Sequence, residues 1–133
     1  MTLKHWKKSI LERSLFNVKK DDYDVIVYKI LKYLYAQFKK GRRLIDMTEI
    51  SKSLDVKIEQ GYFDNIIETA YHQDLIDGTF EEHNFIDEDE PTYEMTSAKI
   101  TPTGIKFIET NPIVKKVEKF LGITTSIVGV VKP

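Results

Sequence analysis

The side chains with the greatest potential for chemistry are carboxylates, and they are concentrated in one part of the chain. Residues 58–98 contain 12 Asp and Glu and no Lys or Arg. Within them, the run Asp87-Glu88-Asp89-Glu90 resembles the start of a calcium-binding loop. An EF-hand loop needs a further oxygen ligand at its fifth position and glycine at its sixth, where this chain has Pro91 and Thr92. The run therefore predicts a solvated acidic loop tip, and we expect no metal site.

Other catalytic patterns are missing from the sequence. There is no cysteine, which excludes disulfides, thiol nucleophiles and cysteine metal ligands. The three histidines lie in three separate segments, without the spacing of a metalloprotease motif. Gly41, Gly61 and Gly104 are isolated, so they do not form a phosphate-cradling loop. We therefore expect a non-enzymatic protein without a cofactor.

Residues 47–76 predict two helices joined by a tight turn and followed by a strand. Asp46 is a suitable N-cap for the first helix, and Asp46 and Glu49 have the spacing of a capping box. The second helix is expected to start near Ile58 or Glu59, and Leu75-Ile76 to begin the strand. The apolar residues of the second helix recur at i, i+3, i+4, i+7 and i+8, and they are Phe63, Ile66, Ile67, Ala70 and Tyr71.

The flanking segments predict supporting elements. Residues 22–40 predict a long helix whose apolar stripe extends from Tyr23 to Phe38, and Gly41 is expected to end it. The dipeptide Asp77-Gly78 predicts a turn. Residues 79–94 then predict a large acidic wing, a β-hairpin anchored by its three aromatic side chains. Thr101-Pro102 and Asn111-Pro112 each predict a helix start, because an N-cap residue precedes a proline at the first helical position.

Together these elements predict a mostly α-helical α+β fold with a small antiparallel β wing. A helix pair followed by a wing is typical of a winged helix-turn-helix, here with extra N- and C-terminal helices. Residues 1–21 are expected to form a basic amphipathic helix and linker, residues 22–111 the winged-helix domain, and residues 112–133 a C-terminal helix and apolar tail.

The sequence resembles the YjcQ-like family over about residues 22–121. The resemblance lies in the long first helix, the segments TEISKSL and YFDNIIETAYHQDLI, the acidic wing, and ITPTGIKFIETN followed by a basic amphipathic helix. It implies a small winged-helix protein of Gram-positive bacteria or their phages. The strand-Thr-Pro-x-Gly-helix segment at Thr101 to Gly104 is similar to the closing helix of many winged-helix proteins. That motif indicates fold rather than chemistry, and the family supplies no catalytic residues to transfer.

Charge distribution and fold favour different partners. Winged-helix proteins often place the second helix in a DNA groove, and most of their affinity for DNA comes from cations that neutralise phosphates. In this chain the second helix and the wing are acidic. We therefore expect a regulatory binding protein that contacts a basic protein, including a nucleic-acid-binding protein. The expected acidic face consists of Glu59, Asp64, Glu68, Glu81, Glu82, Asp87, Glu88, Asp89 and Glu90.

DNA binding through a different surface is the alternative hypothesis. Residues 1–57 contain 14 Lys and Arg against 7 Asp and Glu, so their potential suits phosphates better. Polar side chains on the second helix could add contacts to bases. Lys7, Lys8 and Arg13 belong to this surface. The other residues expected to bind nucleic acid are Lys39, Lys40, Arg42, Arg43, Lys52, Lys57, Gln60, Tyr62 and Asn65.

The apolar segments are too short to cross a membrane. No run reaches the roughly 18–20 apolar residues that a bilayer requires, and the basic N-terminus lacks the apolar middle of a signal peptide. We therefore expect a cytoplasmic protein with no membrane contact. The apolar stripes of the terminal helices, the first of which includes Trp6, also favour a homodimer.

Overall fold

The computed structural model describes residues 19–84, 86 and 90–122. Three parts of the prediction lie outside the described residues. They are the helix over residues 2–16, the tail after residue 122, and the wing residues Phe85 and Asp87–Asp89. The described part is an α+β fold, as the sequence predicts. Its elements are α1 (Tyr23–Lys39), β1 (Ile45–Asp46), α2 (Met47–Ser53), α3 (Gln60–His72), β2 (Ile76–His83), β3 (Thr92–Ile100), α4 (Pro102–Thr110) and α5 (Pro112–Phe120).

Helix α1 packs against the rest of the domain on two sides. One side joins the main core, in which Ile26, Ile30 and Leu31 pack with side chains of α2, α3 and the sheet. The other side buries Val25 and Tyr28 against Val114 and Val117 of α5, and the Tyr28 hydroxyl donates a hydrogen bond to Glu118. The single apolar stripe in the sequence predicts only the first side. The second side is what attaches α5.

The end of α1 differs from the prediction at one position. Phe38, predicted in the core, is 47% exposed, whereas Gln37 is buried. The Gln37 amide oxygen accepts a hydrogen bond from Arg42 at 2.8 Å, so this buried oxygen is satisfied by the chain that follows the helix. Gly41 has a φ of +87°, which is the left-handed conformation expected of a helix-terminating glycine.

The three strands form an antiparallel sheet in the order β1-β3-β2. The prediction of a turn at Asp77-Gly78 is wrong, because both residues lie within β2, opposite Lys99 and Ala98. A Cβ atom at Gly78 would lie 1.9 Å from the carbonyl oxygen of Ser97. Glycine is therefore required here by the close approach of β3 rather than by a turn. The hairpin closes farther out, where His83 pairs with Thr92.

The Thr-Pro-x-Gly motif fixes the corner between α3, β2 and α4. The Thr101 side chain accepts a hydrogen bond from the backbone N–H of Gly104 at 2.9 Å, as an N-cap. Its hydroxyl donates to the carbonyl of Asp74, and its backbone N–H donates to the carbonyl of Leu75 at 3.2 Å. Three hydrogen bonds thus hold the start of α4. Asp74 itself has a φ of +61° at the end of α3.

Polar and charged side chains add to the apolar core in attaching α2 to α1. Asp46 caps α2 by accepting from the backbone N–H of Thr48. Glu49, predicted to complete a capping box, instead accepts two hydrogen bonds from Arg42, at 2.7 and 2.9 Å, and one from Tyr33. These contacts join α1, the loop after it and α2.

Candidate groove between the second helix and the hairpin

A groove of about 790 Å³ lies between the helix pair and the β2–β3 hairpin. Its volume falls within the range of about 300–1,000 Å³ that is usual for ligand sites. Apolar side chains form much of the surface, and charged or polar side chains surround them. The lining residues are Met47, Thr48, Ser51 and Lys52 of α2, Gln60, Phe63, Asp64, Ile67, Glu68, Tyr71 and His72 of α3, Phe80 of β2, and Tyr93, Glu94 and Met95 of β3.

A β-bulge determines which hairpin side chains reach this groove. Thr79 lies opposite Ser97, but Phe80 lies opposite Met95, so Thr96 is the extra residue on β3. Residues directly opposite each other in an antiparallel pair share a face of the sheet. The bulge therefore shifts the alternation along β3. As a result, Met95 continues the inner face on which Ala98 and Ile100 are buried.

Two aromatic side chains of the hairpin remain accessible at the groove. Phe80 is 45% exposed and Tyr93 is 64% exposed. The Phe80 ring packs edge-on against Tyr71 of α3, with ring centroids 5.1 Å apart. This contact bridges the hairpin and the helix. Exposed aromatic rings beside a partly buried apolar surface are typical of a site that binds another molecule.

Carboxylates surround the apolar surface. Of the residues predicted for the acidic face, Asp64 and Glu68 line the groove. Asp64 accepts a hydrogen bond from Gln60 at 2.8 Å, and Glu68 lies 3.7 Å from the His72 ring.

Glu94 also lines the groove, but it lies on the other face of the sheet from Phe80 and Met95, and its carboxylate lies 3.0 Å from the His83 ring nitrogen. The sequence analysis did not select Glu94, whose only signal in the sequence is its position beside Tyr93 on the returning strand.

The other predicted acidic residues lie around the groove or outside the described part. Glu59 is the exposed N-cap of α3. Glu81 is exposed and lies directly opposite Glu94, and Glu82 lies opposite Tyr93. Glu90 is also exposed. Like charges directly opposite each other in a sheet are destabilising, and beside this pair the His83 ring nitrogen lies 3.0 Å from the Glu94 carboxylate.

Three residues predicted for nucleic-acid binding are engaged within the domain. Arg42 donates to Glu49 and Gln37. Gln60 donates to Asp64, and the Tyr62 hydroxyl donates to the backbone carbonyl of Asp21 at 2.6 Å. Their polar groups therefore already have partners. Four of the other predicted residues, Lys40, Arg43, Lys57 and Asn65, are exposed.

Lys7, Lys8 and Arg13 lie outside the described residues, and the remaining two predicted cations lie in different places. The Lys39 ammonium lies 4.2 Å from the centroid of the Tyr35 ring, a cation–π contact at the end of α1. Lys52 is exposed and lines the groove from α2. The predicted basic residues are thus spread over α1, the loop after it, α2 and the turn before α3.

The Glu49 contacts change its acidity. The hydrogen bonds that Arg42 and then Tyr33 donate to Glu49 lower the pKa of Glu49 to about 2. The bond that the Tyr33 hydroxyl donates to Glu49 also raises the pKa of Tyr33. Asp55 has a lowered pKa because it pairs with Lys29 of α1. Both carboxylates lie on the α1 side of the helix pair. They attach the pair to α1 and are separate from the groove carboxylates.

Neither a metal cluster nor a membrane helix is found in the part of the chain that the structure describes. Over residues 19–84, 86 and 90–122, the His, Asp and Glu side chains form no group of three suited to holding a metal ion. Over the same residues, no helix combines the length and apolar character that a bilayer crossing requires.

Comparison with known proteins places the groove within a family. Residues 28–125 match the family model described as YjcQ protein. The chain belongs to the YjcQ family. No curated protein matches the sequence. The YjcQ match covers most of α1, the helix pair, the hairpin, α4 and α5, so every residue that lines the groove lies within the family region. The segment before residue 28 lies outside it.

Proposed function

We propose that this YjcQ-family chain is a cytoplasmic, non-enzymatic regulatory binding protein that contacts a basic protein through α3 and the β2–β3 hairpin. The observation that supports this most is the groove, which combines an apolar surface with carboxylates. Asp64 and Glu68 supply negative charge beside the exposed rings of Phe80 and Tyr93. Buried aromatic anchors supply much of the energy of protein interfaces, and complementary charge selects the partner and speeds association.

We also propose that the domain is a winged helix. Its elements follow the order α1, β1, α2, α3, β2, β3, and a two-residue strand pairs with β3 beside the hairpin. In this interpretation α3 is the second helix of a helix-turn-helix and the hairpin is its wing. These are the elements that face DNA in many winged-helix regulators. Here their acidic charge favours a protein partner.

Electrostatics argues against DNA on this face. Duplex DNA carries one negative charge per roughly 1.7 Å of helix axis. Docking the groove face would bring phosphates close to Asp64 and Glu68, with Lys52 as the nearby cation from α2. DNA binding would instead need the cations around the end of α1, such as Lys40 and Arg43, which are exposed.

A binding assay with a defined probe tests the proposal. A fluorescently labelled synthetic amphipathic peptide of Lys and Leu serves as the basic partner, and fluorescence anisotropy measures its affinity for the full chain. Phe80→Ser should weaken binding about tenfold or more, the effect of removing an aromatic hot spot. Phe38→Ser is the matched control, because Phe38 is equally exposed but does not line the groove. It should leave the affinity unchanged.

Charge reversal provides a second pair of variants. Glu68→Lys should weaken peptide binding roughly fivefold, and the effect should shrink at high salt because exposed charges are screened. Glu109→Lys adds the same charge on the exposed surface of α4 and should have little effect. The proposal would be refuted in favour of DNA binding if the protein bound random duplex DNA at micromolar affinity. In that case the double variant Lys40→Glu with Arg43→Glu would lose DNA binding and Glu68→Lys would keep it.

A further inference from the structure

We infer that the groove holds a segment of its basic partner as an added β-strand along β3. This inference rests on the proposed function, because it specifies how the same groove binds that partner. Strand addition gives affinity through backbone hydrogen bonds and selects the partner through alternate side chains. It requires an open strand edge beside the groove, and side chains of suitable character on the two faces of the sheet.

The edge of β3 on the β1 side is open over the first five residues of the strand. β1 pairs only with Ala98 and Ser97, and the chain then turns into α2, whose N-cap is Asp46. No other strand of the described residues pairs on this side with the stretch from Thr92 to Thr96, which extends roughly 17 Å. None of its residues is Lys or Pro, the residues that commonly protect an open edge from pairing.

The groove lies along this open edge. Tyr93, Glu94 and Met95 all line it, although successive side chains of a strand point to opposite faces of the sheet. Three consecutive residues can line one groove because it follows the edge of the strand as well as one face. From β2, only Phe80 lines the groove among the described residues. An added strand would therefore lie on the β3 side of the hairpin, between β3 and α2.

One face of the added strand would be apolar. Residues directly opposite each other in neighbouring strands share a face of the sheet. Side chains opposite Tyr93 and Met95 would therefore lie on the inner face, beside the exposed ring of Phe80. Apolar side chains would cover these rings. The carboxylates of Asp64 and Glu68 on the α3 wall of the groove favour a segment with positive charge.

The other face of the added strand would be basic. The side chain opposite Glu94 would lie on the outer face, where Glu94 faces Glu81 across the hairpin. The His83 ring nitrogen also lies 3.0 Å from the Glu94 carboxylate. A Lys in the added strand would form an opposite-charge pair with Glu94. The preferred segment of the partner is therefore one in which apolar and basic residues alternate.

Backbone methylation of a peptide tests this mode of binding. The probe is a labelled peptide of about seven alternating Lys and Val residues, a usual strand length, and fluorescence anisotropy measures its affinity for the full chain. In an antiparallel pair, alternate residues direct their backbone N–H groups towards the neighbouring strand. Two analogues carry N-methyl groups, one on every Val backbone nitrogen and the other on every Lys backbone nitrogen. One analogue should lose affinity by about tenfold or more. The other, whose methyl groups point away from β3, should bind within about twofold of the unmethylated peptide.

Charge reversal on the outer face determines which edge holds the strand. Glu94→Lys should weaken binding of the Lys/Val peptide about fivefold at low salt. Glu81→Lys should weaken it about twofold or less, because β2 lies one strand farther from the added strand. The two variants are matched, since each replaces the Glu81–Glu94 like-charge pair by an opposite-charge pair. Circular dichroism verifies the fold of both, and in particular of Glu94→Lys, which also loses the His83 contact.

The outcomes separate this inference from the proposed function. Equal effects of the two methylated analogues would overturn the added strand, and a larger effect of Glu81→Lys than of Glu94→Lys would move it to the free edge of β2. If the unmethylated Lys/Val peptide does not bind, the inference also fails. The groove function nevertheless stands if the amphipathic Lys/Leu peptide binds and Phe80→Ser weakens that binding. If neither peptide binds, both proposals fail.

Discussion

Replacing Gly104 by alanine tests how the Thr-Pro-x-Gly motif produces the fold. A Cβ atom at Gly104 would lie 2.2 Å from the carbonyl oxygen of Leu75 and 2.8 Å from Cγ1 of Ile100. The Ile100 side chain can adjust, but the Leu75 oxygen belongs to the backbone. It also accepts the hydrogen bond from the Thr101 N–H. The start of α4 must therefore move away from the α3–β2 corner.

The expected change in the free energy of unfolding of Gly104→Ala is the sum of opposing contributions. Alanine is favoured over glycine within a helix by about 1 kcal/mol. Overpacking costs about 1–3 kcal/mol, and a contact with backbone belongs at the upper end of that range. Loss of the Thr101–Leu75 hydrogen bond adds about 1 kcal/mol. We expect Gly104→Ala to lower the free energy of unfolding by about 2–3 kcal/mol, and the melting temperature by roughly 10 °C for a chain of this size.

Gly61→Ala is the matched control. Gly61 also lies in a helix, near the start of α3, but no atom lies within 4 Å of its added Cβ. The same substitution should therefore stabilise the protein by about 0.5–1 kcal/mol. Urea and thermal unfolding followed by circular dichroism measure both variants. If Gly104→Ala is as stable as the unmodified chain, or is stabilised like Gly61→Ala, the close approach is not what requires glycine in the motif.

Three further substitutions test individual contacts by urea unfolding. The folded-state pKa of Glu49 is lowered from 4.5 to about 2. Its contribution to stability is therefore present above pH 4.5 and is lost as the pH falls from there towards 2. The unmodified chain should lose more stability than Glu49→Gln between pH 6 and pH 3. Burial, with Glu118 nearby, raises the pKa of Tyr28. The contribution of the Tyr28 hydroxyl to folding stability is therefore present below pH 10 and is lost at higher pH. Tyr28→Phe should reduce the loss of stability at alkaline pH. Thr101→Ala removes an N-cap and should cost about 1–2 kcal/mol, and a cost near zero would contradict the role assigned to its hydroxyl.

Local patterns in the sequence predicted most of the helices. The spacing of apolar residues located α1 and α3, because one face of each must be buried. The predicted caps are confirmed at Thr101, which accepts from Gly104, and at Asn111, which accepts from the Ile113 N–H at 2.8 Å. Each of these signals depends on residues within one or two helical turns. Such signals can be recognised in the sequence without knowledge of the tertiary structure.

The incorrect predictions involve residues whose environment is set by distant parts of the chain. Asp77-Gly78 has the composition of a turn, yet Gly78 lies in β2 because Ser97 of β3 approaches closely. Phe38 continues the apolar stripe of α1 but is exposed, because the core has ended before it. Val25 and Tyr28 face α5, whose position the α1 sequence does not indicate.

The groove was only partly predictable for a similar reason. Asp64 and Glu68 were selected because they lie on the outward face of a helix, which periodicity defines. Met95 joins them through the bulge at Thr96. A bulge changes the alternation along a strand, and no local composition marks it here. The sequence therefore indicated an acidic surface, whereas the apolar surface between helix and hairpin emerges only from the fold.

The residues that build the fold and those that form the groove are largely separate, and this separation bears on function. Thr101 and Gly104 are buried, and their contacts are with the α3–β2 corner. Phe80 and Tyr93 are exposed, and they contribute little to the core. Exposed aromatic side chains on a hairpin favour aggregation unless something covers or protects them. A partner that covers these rings would offset this cost, so the groove proposed as the binding site can be altered without disturbing the contacts that build the fold.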